Sequence, residues 1–243
     1  MKIYVLAAIV VLFSTGFSGT YHETKNLSLP AEAISELRID CGAGFLKVQG
    51  DPDLKEIQVN AEIELRNVDR DDAKKILDKY LELTLRKHGR RAILRSDFEH
   101  SGSFFSGLFG DRPQIAIDLT VKVPQQMDLN IDDGSGFMEI NNTRGNLEID
   151  DGSGELTVKN VTGNVEIDDG SGEITIRDID GDVQVDDGSG EINIRKVVGT
   201  VRVDDGSGSI IIDDVDGDVI IEDDGSGGVH IANVSGKVIR RDQ

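Results

Sequence analysis

Six copies of Asp-Asp-Gly-Ser-Gly begin at Asp132, Asp150, Asp168, Asp186, Asp204 and Asp223, at steps of 18, 18, 18, 18 and 19 residues. Carboxylates paired and repeated in this way admit few kinds of chemistry. Hard oxygen donors at a recurring corner suit calcium, which is plentiful outside the cytoplasm. On that reading Asp150, Asp151, Asp168, Asp169, Asp186, Asp187, Asp204 and Asp205 are the metal ligands. The preferred reading needs no cofactor. Each pair then points into water, the first aspartate shapes the turn through its side chain, and the glycines supply positive φ. Ser153, Ser171, Ser189 and Ser207 would form a hydroxyl ladder inside the corner. Stacked copies set like charges about 5 Å apart, where each neighbouring pair repels by under about 1 kcal/mol in water.

Catalysis fits these residues poorly. Gly170-Ser171-Gly172 lacks the spacing of a nucleophile elbow and has carboxylates beside it in place of a histidine base. His22, His88, His100 and His230 are scattered, without metal-ligand spacing. Two carboxylates can cleave a glycoside, and a polysaccharide-active β-helix is the third reading considered. A catalytic pair, however, needs a cleft unlike the rest of the surface, and here the copies are equal. The chain is therefore expected not to be an enzyme.

A strict short period means one small unit stacked on copies of itself. In Val165 to Asp182, Val165 and Ile167 flank Glu166, and Ile174 and Ile176 flank Thr175, so each half reads as a short strand with one apolar face. Ile179 adds a fifth apolar residue near a second corner. The same five positions recur as Val183, Val185, Ile192, Ile194 and Val197. One coil is thus two strands joined by two glycine corners. Near-identical units favour parallel stacking, each residue about 4.8 Å from its copy. The fold class is all-β, a parallel β-solenoid with about 18 residues per coil and an N-terminal α+β cap that contains one short helix.

A worn copy stands in the N-terminal half. Leu37 to Val48 matches Val165 to Ile176 position for position, with Cys41 in place of the second aspartate. The stack is therefore expected to start near Leu37, to be interrupted, and to resume at Leu129. The interruption reads as a strand from Ile57 to Leu65, a helix from Asp71 to Glu82, and strands from Arg91 to Arg95 and Ile115 to Val123. Asp69 or Asp71 would cap the helix, whose apolar side is Ile76, Leu77, Tyr80 and Leu81. This insert would cover an open end or a flank of the stack. At the other end Arg240 falls where Ile221 stood one coil earlier, a charge that stops stacking.

Residues 1–19 read as a secretory signal peptide: Met1-Lys2, an apolar run from Ile3 to Phe13, then small residues. That run is too short to span a bilayer, so no membrane span is expected after cleavage. Residues 20–128 form the β-rich N-terminal region and residues 129–243 the repeats. Residues 131–243 carry 27 acidic and 9 basic side chains, a net charge of −18 within the −20 of the whole chain. Such a rod repels nucleic acid and anionic lipid, and suits cations or a basic partner. Phe104, Phe105, Leu108 and Phe109 cluster among glycines and serines, as a partner-contacting loop or a plug over the end of the stack.

Three features in this order carry a resemblance. They are Leu37-Arg38-Ile39-Asp40-Cys41-Gly42-Ala43-Gly44-Phe45, then Val121-Lys122-Val123-Pro124-Gln125-Gln126-Met127, then the repeated glycine corners. Together behind the signal peptide they resemble the bacterial "putative adhesin" family of β-strand-repeat envelope proteins, a domain of unknown function. The resemblance covers almost the whole mature chain and implies an exported, solenoid-like, non-catalytic protein; the expected location is the periplasm or outside the cell, associated with the envelope. An envelope protein or a glycan would be its partner, and the family supplies no site residues. The secreted repeats-in-toxin β-roll is also similar in its 18-residue, calcium-binding coil, but this chain carries two apolar residues per half-coil where that roll has one. Bactofilin-like scaffolds offer a weaker comparison, because they polymerise end to end and Arg240-Arg241 opposes that.

Overall fold

The computed structural model describes residues 19–98 and 114–241. The N-terminal elements are β1 (Thr20–Pro30), β2 (Glu36–Asp51), β3 (Glu56–Arg66), α1 (Arg70–Tyr80), β4 (Leu81–His88), β5 (Arg91–Phe98), β6 (Gln114–Pro124) and β7 (Asp128–Thr143). Then come β8 (Leu147–Asp151), β9 (Gly154–Thr162), β10 (Val165–Asp169), β11 (Gly172–Asp180), β12 (Val183–Asp187) and β13 (Gly190–Val197). The last are β14 (Val201–Asp205), β15 (Gly208–Val215), β16 (Val219–Asp223), β17 (Val229–Val234) and β18 (Val238–Arg240).

The repeats stack as two parallel ladders. The first half of β7 is followed by β8, β10, β12, β14, β16 and β18, and its second half by β9, β11, β13, β15 and β17. Each residue pairs with its own copy one coil on, as Val165 with Val183 and Ile174 with Ile192. The five apolar positions close the space between the ladders: Val165, Ile167, Ile174, Ile176 and Ile179 are all buried. The single 19-residue step is absorbed as a bulge, where Asp204 faces Asp223 and the extra residue is Glu222.

The second corner varies in sequence yet is held by one kind of atom. Asp128 Oδ1 accepts the N–H of Asn146, Asn146 Oδ1 that of Asn164, Asn164 Oδ1 that of Asp182, and Asp182 Oδ1 that of Thr200, at 2.7–3.1 Å. Asn and Asp both offer a side-chain carbonyl oxygen at the same reach, so they interchange freely. Thr200 has no such oxygen, which makes it a weak rung. Thr200→Asn is expected to raise unfolding stability by about 0.5–1.5 kcal/mol, measured as a shift in the urea midpoint; a loss would show that the rung contributes nothing.

β2 is the worn coil. It lies parallel to β7 with Leu37 on Leu129, Cys41 on Asp133 and Gly44 on Gly136, and Phe45 stacks on Phe137 at 5.7 Å. β5 and β6 extend the two ladders by one more level, pairing parallel with the first and second halves of β2. β4 then adds antiparallel to β5, β3 to β6 and β1 to β3. Helix α1 packs on β1 and β4 and buries Ala73, Ile76 and Leu77, so the insert closes an end of the stack. Asp69 is the cap, its side chain accepting from the N–H groups of Asp71 and Asp72. The helix ends at Tyr80, two residues short of the sequence expectation, because Leu81 and Glu82 join β4 against Phe98 and Asp97.

Among the described residues nothing comparable covers β18. Val238 and Ile239 on β18 are exposed, and Arg240 stands opposite Ile221 as its position in the repeat implied. Glu222 is bridged by both Arg202 and Arg241. The aromatic cluster Phe104, Phe105, Leu108 and Phe109, and residues 1–18 of the expected signal peptide, lie outside the described residues.

Candidate functional site

Strand alternation decides what the corner carboxylates do. Val165 and Ile167 point inward, so the next residue in phase is Asp169, while Glu166 and Asp168 point outward. The same holds in β8, β12 and β14. Each pair is therefore divided between the two sides of the sheet. Asp150, Asp168, Asp186 and Asp204 are exposed; Asp151, Asp169, Asp187 and Asp205 are at most 2% exposed. This corrects the expectation that both members of a pair face water. It also removes Asp151, Asp169 and Asp187 from any surface that a partner could touch.

The inner aspartate, not the outer one, shapes the turn. Oδ1 of Asp151, Asp169, Asp187 and Asp205 accepts the N–H of Ser153, Ser171, Ser189 and Ser207 at 3.0–3.2 Å. The serines contribute backbone rather than a hydroxyl ladder, and the ladder inside the corner is made of carboxyls. Their second oxygens, with Oδ2 of Asp133, are buried without a hydrogen-bond partner. The row continues into the cap. Cys41 Sγ donates to Asp133 Oδ1 at 3.3 Å, and Ser96, also buried, lies next to Cys41 in register.

Burial, then repulsion from Asp169 and Asp133, pushes Asp151 up to about 7. Burial likewise pushes Asp187 up to about 6, with repulsion from Asp169 and Asp205 adding to it. Asp133, Asp169 and Asp205 move the same way, again chiefly through burial. The Cys41 thiol is driven far above its ordinary range by burial and by Asp133, so it stays a neutral donor.

The outer row belongs to an acidic face. Glu148, Asp150, Glu166, Asp168 and Asp186 stand exposed on the first ladder between β8 and β12. The outer face of the second ladder is mixed, with Glu155, Glu173 and Glu191 beside Lys159, Arg177 and Arg195. Among the described residues no three His, Cys, Asp or Glu side chains gather as a metal centre would require. His22, His88 and His230 sit on β1, β4 and β17, three separate elements. A groove of about 320 Å³ on the cap, lined by Asn26, Ser28, Glu56, Gln58, Asn60 and Lys122 among others, contains neither a cysteine nor a histidine. No helix among the described residues is long and apolar enough to cross a membrane.

The sequence signal for the inner row was present in the phase of the strand, Val-Glu-Ile-Asp-Asp, read through to its fifth residue. The dipeptide taken as a unit does not show it; the pleat does.

Comparison with known proteins places these features. The family described as Toastrack DUF4097 matches residues 53–239. No curated protein matches the chain. A solved structure of a "putative cell adhesion protein" from Clostridium sporogenes is similar over 91% of this chain and 100% of its own, at 11% identity and a TM-score of 0.36. A "putative lipid binding protein" from Parabacteroides distasonis is similar over 91% of this chain and 97% of its own, at 16% identity and a TM-score of 0.41. A "putative adhesin" from Bacteroides fragilis covers 93% of this chain and 100% of its own, at 12% identity and a TM-score of 0.31. At these scores the likeness carries no functional weight.

Proposed function

The chain belongs to the Toastrack DUF4097 family, and from that premise we propose that it is an exported, non-catalytic binding module of the bacterial envelope. Its working surface is the outer face of the first ladder. The observation that carries this reading is the row Asp150, Asp168, Asp186 and Asp204, exposed and paired copy on copy along the stack. Parallel pairing fixes the pitch of that row at about 4.8 Å. Glu148 and Glu166 widen it into an acidic strip.

Such a strip works by repetition. One exposed carboxylate contributes little to a contact, about 0.2–1 kcal/mol, because water and salt screen it. Several at fixed spacing act together on a partner that is itself periodic, and the rigid stack has already met the entropic cost of aligning them. A basic protein segment is the partner this charge suits, and an envelope glycan that presents cations or amines is another. The apolar N-terminal run supports export.

The test is stepwise neutralisation of the outer row alone. Binding of the full mature chain to polylysine and to purified cell-wall glycan is measured for Asp168→Asn, then for two, three and four outer substitutions. Affinity is expected to fall about 2–5-fold per carboxylate, and to fall again with added salt. Unchanged affinity after all four substitutions, for both probes, would overturn the reading.

A further inference from the structure

Asp133, Asp151, Asp169, Asp187 and Asp205 form an unbroken row inside the stack, in register from β7 through β14. Each is at most 5% exposed, and each has one oxygen with no hydrogen-bond partner. The titratable groups facing the row are Cys41 and Asp40 at the cap, the outer aspartates Asp132, Asp150, Asp168, Asp186 and Asp204 beside it, and Asp223 and Asp224 at the far end. None is a cation. Across the core, the second ladder presents apolar side chains such as Leu156, Ile174, Ile192 and Ile210. Five carboxylates cannot all remain charged in such a place, because burying an unpaired ion costs far more than taking up a proton.

We propose that the row is a proton-binding site: Asp151, Asp169 and Asp187 hold protons in the folded protein and share them from coil to coil. A protonated Oδ2 becomes a donor, and the carboxyl of the next coil, about 4.8 Å along, is the acceptor that faces it. One proton thus removes a buried charge and satisfies a buried oxygen. The neutral thiol of Cys41, which donates to Asp133, does in the worn coil what a protonated aspartate does in the others. The upward shifts of all five groups agree with this arrangement. The proposal goes beyond the acidic face, which is built from the other member of each pair.

The consequence has a definite sign. These groups bind protons more tightly folded than unfolded, so folding takes up protons. Their stabilising effect is complete below the ordinary aspartate range and is lost as pH rises through about 6 to 7. Raising pH from 5 to 8 is expected to increase the unfolding equilibrium constant of the full mature chain on the order of 1000-fold. Urea unfolding in chelator reads this directly. Surface repulsion also grows with pH, so two variants separate the sources. Asp151→Asn with Asp169→Asn and Asp187→Asn should flatten the dependence, whereas Asp150→Asn with Asp168→Asn and Asp186→Asn should keep it.

A flat or rising stability in the wild type would overturn the proposal. So would equal flattening by the outer set, or recovery of the acid midpoint at pH 8 by millimolar calcium chloride, which would make the row a metal site. Should the inner triple variant fail to fold, infrared spectra of the wild-type chain at pH 6, isotope-labelled at aspartate, decide the matter. A protonated carboxyl band that persists well above the ordinary aspartate range supports the row, and its absence overturns it.

Discussion

Replacing Gly172 by alanine is expected to destabilise the stack by about 3–5 kcal/mol, or to leave the chain unable to fold. Gly172 has φ of +151°, and a Cβ built on it would lie 1.6 Å from the carbonyl oxygen of Gly154, its copy one coil below. That oxygen is backbone and cannot rotate away. The coils would have to separate by more than an ångström, breaking the bonds from Gly154 N to Ser171 O at 3.0 Å and from Gly170 N to Asp151 O at 2.9 Å. Two controls divide the causes. Gly89 has φ of +65° with open space around it, so Gly89→Ala should cost only about 1 kcal/mol. Gly228 has neither constraint, and Gly228→Ala should fall within about 0.5 kcal/mol of wild type. Urea unfolding of the three variants checks the order. A Gly172→Ala loss no larger than that of Gly89→Ala would mean the coils are not packed backbone on backbone.

The second large effect is expected at Ile192. Its side chain is wholly buried, with Ile174 below it and Ile210 above it in the second ladder. Ile192→Ala removes three carbons from the middle of that column. The neighbours cannot collapse into the space without losing register with their own copies, so the cost should reach about 2–5 kcal/mol. Position along the stack matters as well. Each coil is stabilised mainly by the coil on either side, so a central defect weakens the coupling of everything beyond it. Amides of β15 and β17 should then exchange with solvent sooner than those of β9, which the N-terminal cap still protects. Ile231→Ala, at the half-buried end of the neighbouring column that runs through Ile194 and Ile212, should cost about 1 kcal/mol or less. Equal costs at Ile192 and Ile231 would argue against nearest-neighbour coupling.

Much of this architecture could be read from the residues. The period announced the stack, the five apolar positions gave its interior, and Cys41 in the place of an aspartate marked the worn coil where β2 lies on β7. Arg240 likewise marked a coil with a charge in an apolar place, opposite Ile221. What escaped the sequence reading has physical causes. β1 runs Tyr-His-Glu-Thr-Lys-Asn-Leu and is half-buried along most of its length, so no clean alternation shows. β4 follows the helix without a break, and its first residues look like a continuing helical turn. The inner aspartates were hidden by habit of chemistry: a carboxylate is expected in water, and here the pleat outranks that preference. The corner makes this possible by offering a serine N–H to one oxygen of each.

The copy-on-copy register has one further consequence, for how such a chain can change over generations. Every central coil meets its neighbours through the same contacts, so a duplicated coding stretch of one whole coil would fit between any two of them. Among the described residues, the capped N-terminal levels and the bulge at Glu222 depart from that pattern. Length, and with it the number of carboxylates inside and out, can therefore grow or shrink by recombination in whole coils. A fragment of a coil would instead put every later strand out of phase.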